Sequence, residues 1–123
     1  MRIIVTGGRD YTDREHIFNT LDIMHRGVLI THVVHGGCRG VDKIVDEWAV
    51  LNRIQVTEYP ANWEKYGLSA GPRRNEFMCK SESECPDTYL IAFPGGRGTK
   101  HCESMAYKYN IPTYRVYVRE EEI

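Results

Sequence analysis

Apolar side chains in this chain follow two rhythms in turn, short continuous runs and then spacings of three and four. Arg2–Thr6 (R-I-I-V-T) is mostly apolar and β-branched, which predicts a central strand. Thr12 or Asp13 then caps a helix reaching about His25, with Ile17, Leu21 and Met24 on one face and Gly27 as its stop. Residues 31–35 predict a second strand. The helix after it runs to about Asn52, and its apolar side is Val41, Ile44, Val45, Trp48 and Leu51. Residues 54–59 read as a third strand closed by Pro60. Gly71-Pro72 opens a further helix, with proline at an early position, that carries Arg73, Arg74, Asn75, Phe77 and Met78 and fades by Pro86. Residues 88–93 (T-Y-L-I-A-F) predict a buried strand. Residues 103–110 predict a helix, because Met105 and Tyr109 lie one turn apart, and residues 112–118 a final strand. Between them, residues 61–71 form the longest irregular stretch, in which Trp63 either walls a ligand or covers the core.

Strands alternating with helices predict an α/β fold, a parallel sheet of five strands with helices on both faces. In such sheets ligands bind outside the carboxyl ends of the strands. Three strand-to-helix turns meet at that edge, after the first, second and fourth strands. They are Gly7-Gly8-Arg9-Asp10, then residues 36–42 (G-G-C-R-G-V-D) with Gly36, Gly37, Arg39 and Asp42, then residues 93–103 (F-P-G-G-R-G-T-K-H-C-E). Glycine lets a ligand approach the backbone, and the N–H groups of a helix start attract an anion. Pro94, Gly95, Gly96 and Gly98 supply the last turn, while Arg97 and Thr99 add a guanidinium fork and a hydroxyl suited to phosphate. A single Pro-Gly-Gly often marks only a tight loop. Three glycine-arginine turns converging on one edge argue for an anion site.

The chain has 123 residues, 41% hydrophobic and 27% charged, which predicts one domain over residues 1–118 followed by an acidic, solvated end at residues 119–123. A net charge of −1, from 16 basic and 17 acidic side chains, gives no general attraction to nucleic acid or anionic lipid. No apolar run approaches a membrane span, and a cytoplasmic location is expected. Cys38, Cys79, Cys85 and Cys102 lack metal-ligand spacing and are expected as free thiols; no metal and no cofactor are expected. Cys38 and Cys102, read as lying in turns near helix starts, are either reactive thiols or small residues that fit there.

Taken together, V-T-G-G-R-D, H-G-G-C-R-G-V-D, A-G-P-R-R-N and P-G-G-R-G-T resemble the YspA-type branch of the SLOG superfamily, over nearly the whole chain. That resemblance implies a Rossmann-like three-layer sandwich with strand order 3-2-1-4-5, a nucleotide or nucleotide-derived ligand such as an ADP-ribose relative, and a homo-oligomer contacting through the helix from Arg73. Two relatives imply different activities. The LOG phosphoribohydrolases cleave the N-glycosidic bond of a nucleoside monophosphate, and their motifs resemble residues 94–99 and Arg74 with Asn75. Their glutamate would fall at Cys102; here Glu103 stands one place later, about 100° round a helix. As an enzyme the chain would use Arg74 and Glu103. The DprA proteins bind single-stranded DNA and share a turn like residues 36–42, but nucleic acid is an unfavoured partner at this charge. Asp42 is either an acceptor for a ribose hydroxyl or the Arg39 guanidinium, or a first-turn acid favoured by the helix dipole. The expected function is ligand binding, as a sensor or sequestering protein, with the hydrolase as the alternative.

Overall fold

The computed structural model describes residues 1–118; the acidic end expected at 119–123 lies outside the described residues. Five strands, β1 (Arg2–Thr6), β2 (His32–His35), β3 (Gln55–Glu58), β4 (Thr88–Ala92) and β5 (Thr113–Arg115), form one parallel sheet in the order 3-2-1-4-5. The helices between them are α1 (Arg14–Gly27), α2 (Val41–Leu51), α3 (Trp63–Tyr66), α4 (Ala70–Glu82) and α5 (Arg97–Lys108).

The alternation of side chains along β1 divides the core in two. Ile3 and Val5 face Ile17 and Leu21 of α1 and Val41, Val45 and Trp48 of α2. Ile4 faces the other way, onto Met78 and Cys79 of α4 and Cys102 and Ala106 of α5. Because the side-chain period of a strand is two, a run apolar at every position can be buried on both faces. That is why R-I-I-V-T sits at the centre with a helix layer on each side.

Three expectations change. α5 starts at Arg97, six residues before the start placed by Met105 and Tyr109, because its buried stripe is Thr99, Cys102 and Ala106. These residues are small or polar and leave no hydropathy signal, yet their spacing of three and four is helical. Residues 61–71 are not irregular. Asn62 accepts the Lys65 N–H at 3.0 Å and caps α3, a 3-10 turn follows over Gly67–Ser69, and α4 begins at Ala70. β5 has three residues, exposed at the sheet edge, and not seven. Asp13 caps α1 as its position predicts, accepting the His16 N–H at 3.2 Å.

The turn into α2 depends on Gly40. Its φ is +79° with ψ −124°, a region only glycine occupies at ease, and a Cβ there would lie 2.5 Å from the carbonyl oxygens of both Gly8 and Arg9. Backbone cannot swing aside as a side chain can. Gly40→Ala is expected to lower unfolding stability by about 2–4 kcal/mol, read by urea denaturation against the wild type.

Candidate functional site

At the carboxyl edge of the sheet a cavity of 490 Å³ opens among the turn after β1, the turn after β2, and the starts of α4 and α5. Gly8 stitches these turns together. Its N–H donates to the Pro94 carbonyl at 2.8 Å, and its own carbonyl accepts the Val41 N–H at 3.3 Å. Gly95 is packed so closely that a Cβ would lie 2.1 Å from Thr99 Oγ1 and 2.7 Å from the Gly8 nitrogen. The β4–α5 turn is thereby folded against both the first turn and its own helix.

Gly96 is the N-cap of α5, and no side chain caps the helix. The first intrahelical bond runs from the Lys100 N–H to the Gly96 carbonyl at 3.1 Å. The N–H groups of Arg97, Gly98 and Thr99 therefore have no intrahelical acceptor, and these residues line the cavity. This end of a twelve-residue helix carries the positive pole of its dipole.

The opposite wall is the β2–α2 turn, which side chains hold on every side. Asp42 Oδ2 accepts the N–H groups of Gly36 at 3.2 Å and Cys38 at 3.1 Å. His35 Nδ1 accepts the Gly37 N–H at 2.9 Å, which places the ring proton on Nε2, 2.6 Å from Asp46 Oδ2. Arg74 reaches across from α4 and donates through Nη1 to the Gly36 carbonyl at 2.6 Å and through Nε to Asn75 Oδ1 at 2.9 Å. Among the described residues its Nη2 meets just the Cys38 sulfur, at 3.7 Å, and so keeps donor capacity for a ligand. A Cβ on Gly36 would lie 2.3 Å from the guanidinium, so glycine is what admits the arginine. Asn75 in turn donates to the Gly98 carbonyl at 3.3 Å and lies 3.3 Å from His101 Nδ1, tying α4 to α5.

Asp42 is 5% exposed, and its second oxygen, Oδ1, is buried without a hydrogen bond. Burial raises its pKa above the ordinary 3.8, against the opposing pull of the Cys38 N–H, His35 and Arg74. Arg39 does not partner it. That guanidinium pairs with Asp10 at 3.0 Å, and both side chains turn to solvent. Asp42 is thus a first-turn acid that also holds the turn before it.

The remaining candidates divide. Gly7, Gly8, Arg9, Gly36, Asp42, Trp63, Arg74, Asn75, Gly96, Arg97, Gly98 and Thr99 come together on the main cavity. Gly37 and Arg39 line a smaller adjoining one, Pro94 and Gly95 stand behind the wall, and Asp10 is outside. Glu103 is also outside, accepting from Arg115 Nε at 2.6 Å and tying α5 to β5. Trp63 is half exposed, with the Arg9 guanidinium 5.5 Å above its ring. Cys102 lies in the second turn of α5, not in a loop; it is fully buried, with Cys79 Sγ 3.9 Å from its carbonyl.

His101 and Met78 line the cavity too and were not foreseen. Each stands four residues after a predicted arginine, Arg97 and Arg74, and so shares its helix face; Met78 could be placed from the helix already predicted, and His101 only with the correct start of α5. Among the described residues no group of three or more histidine, cysteine or acidic side chains could hold a metal, and no helix is long and apolar enough to cross a membrane.

A parallel sheet with a helix layer on each face and a cavity at its carboxyl edge defines the Rossmann-like class of α/β proteins. The chain belongs to the YspA, cpYpsA-related SLOG family, whose model matches residues 1–66. It is similar to the Gene 61 protein of Mycobacterium phage D29, with 40% identity over 119 residues, covering 90% of this chain and 92% of that protein. No solved structure matches it.

Proposed function

We propose that this protein binds a nucleotide or nucleotide-derived phosphate ester in the cavity at the sheet edge, as a sensor or sequestering protein. One observation carries the reading. The uncapped start of α5 opens on a cavity flanked by Arg9 and Arg97, neither of which pairs with a carboxylate among the described residues. Backbone N–H groups, a helix dipole and two unneutralised guanidinium groups are what an anion needs. Membership of the SLOG family supports a nucleotide-related ligand. Self-association through α4 fits this reading, since Phe77 on that helix is largely exposed. Calorimetry with AMP, ADP-ribose, NAD and cyclic nucleotides tests the proposal, and absence of binding by all of them overturns it.

Cleavage of an N-glycosidic bond is the second reading. Its support is Asp42, a buried acid with a raised pKa on the cavity wall, the kind of group general acid–base chemistry uses. Glu103 contributes nothing to it from its place beside Arg115. For a binding protein, Glu103→Ala is expected to leave ligand affinity within about a factor of ten, roughly 1.4 kcal/mol. Unfolding stability should fall modestly, since solvent screens the exposed Arg115 while the Glu103 side chain is largely covered. Chromatography of a nucleoside-monophosphate panel checks the alternative. Release of free base that disappears in Asp42→Asn and persists in Glu103→Ala would show that the protein is a hydrolase.

A further inference from the structure

At the end of β2 the ring of His35 is 2% exposed, and both of its nitrogens are engaged. Nδ1 accepts the Gly37 N–H at 2.9 Å, and Nε2 lies 2.6 Å from Asp46 Oδ2. The first of these bonds exists only for a neutral ring, because an imidazolium carries hydrogen on both nitrogens and accepts at neither. A proton on Nδ1 would face the Gly37 N–H, donor against donor. One of the two then has to turn away.

The surroundings of the ring pull in opposite directions. Asp42 and Asp46 on α2, and Glu58, its register partner on β3, favour a positive ring. Burial opposes it, as does Arg74 of α4, which is bonded to the neighbouring Gly36 carbonyl. Asp42 is near enough for its own charge to respond to His35, and its Oδ1 has no hydrogen bond. The segment beside the ring is glycine at 36, 37 and 40, so its backbone has other conformations open to it once a bond is lost. Gly37 releases its neighbour with it: the Gly36 carbonyl is what holds Arg74 Nη1 at 2.6 Å. Gly36, Cys38, Asp42 and Arg74 all line the main cavity.

We infer that His35 is a positioning residue whose neutral ring, oriented by Asp46, holds the β2–α2 turn in the binding conformation, and that uptake of one proton releases this wall of the site. Acid then weakens ligand binding without unfolding the protein. The loss of affinity rests on the phosphate-ester reading above; the movement of the turn does not. The bistable element is the Gly37 N–H, bonded to Nδ1 or free, and proton and ligand bias it in opposite directions.

Nuclear magnetic resonance of the ligand-free protein, from about pH 8 to about pH 5, tests the turn. The His35 ring signals and the Gly37 amide signal should move together with one midpoint, while the amide of buried Leu21 stays in place. His35→Asn keeps an acceptor on the same side-chain carbon but has no proton to gain, so its Gly37 amide should not titrate. Calorimetry with ADP-ribose and with NAD, whose phosphates keep their charge across this range, reads the site. Affinity should fall at least about tenfold in the wild type and less than about twofold in His35→Asn. Asp46 is partly exposed, so Asp46→Asn suits the fold as a second variant, and it should move both the ring midpoint and the affinity loss to lower pH. A ring that never takes the proton, or takes it while Gly37 stays still, overturns the inference. So does a turn that moves with affinity unchanged, or an affinity loss that both variants retain as in the wild type. Ring and turn titrating together, with no binding by any member of the panel above, would remove the phosphate-ester reading and leave the proton-sensitive turn standing.

Discussion

Arg74→Ala should abolish measurable ligand binding, with a loss of at least about a hundredfold, roughly 2.7 kcal/mol, and should destabilise the fold even with no ligand present. Two effects add. A guanidinium beside a phosphate is among the strongest polar contacts available to a protein, and Nη2 is the nitrogen with capacity to make it. The other effect is internal. Nη1 satisfies the carbonyl of buried Gly36 at 2.6 Å and approaches the Tyr59 carbonyl at 3.4 Å. Removing the side chain leaves an acceptor unpaired and a void where Gly36 had made room. A cost of about 2–3 kcal/mol in unfolding is expected, read by urea denaturation. Arg74→Lys should fail to rescue either effect, because one ammonium cannot serve Gly36, Asn75 and a ligand from a single fork. Full binding by the lysine variant would show that Arg74 acts only as a charge.

Asp42→Ala and Asp42→Asn should part company. The alanine variant strips the acceptor from the N–H groups of Gly36 and Cys38, and unfolding stability should fall by about 2–4 kcal/mol. In the asparagine variant the carbonyl can still accept both N–H groups, so the fold survives. What changes is the pH profile. The Asp42 pKa is raised in the folded protein, so between 3.8 and that raised value the folded state holds more protons than the unfolded state. The stabilisation from this proton is complete below 3.8 and is lost as pH rises through the folded value. Subtracting the wild-type stability curve from that of Asp42→Asn should therefore give a difference that grows in the variant's favour as pH climbs through this window. A flat difference would show that Asp42 is not buried as a strained acid.

Most of this site was legible because its parts are backbone features that leave residue signatures. Glycine before arginine after an apolar run signals a turn at a strand end, and three such turns predicted the cavity edge. The largest error has a clear physical origin. α5 buries Thr99, Cys102 and Ala106, residues too small and polar to register as an apolar stripe, so its start was read six residues late. His101 consequently went unnoticed. Helical register marked Glu103 as displaced from the LOG position, but only the three-dimensional arrangement supplies its partner, since Arg115 comes from the far edge of the sheet. The same holds for Arg39, whose pairing with Asp10 joins two loops 29 residues apart.

The peptide of Gly8 has a consequence for how such a site can change over generations. It bonds to Pro94 on one side and Val41 on the other, so a residue inserted in any of the three turns would displace the other two. Tinkering there is all or nothing. The wall around α3 is built differently: its capping bonds, from the Lys65 N–H to Asn62 and from the Ser69 hydroxyl to the Tyr66 carbonyl, stay within the segment, and Trp63, Tyr66 and Leu68 are exposed. Substitutions at Tyr66 or Leu68 leave the three turns untouched, whereas one at Trp63 also removes the ring beneath Arg9. If the cavity holds the proposed ligand, its preference can shift through this short helix while the three turns are inherited intact.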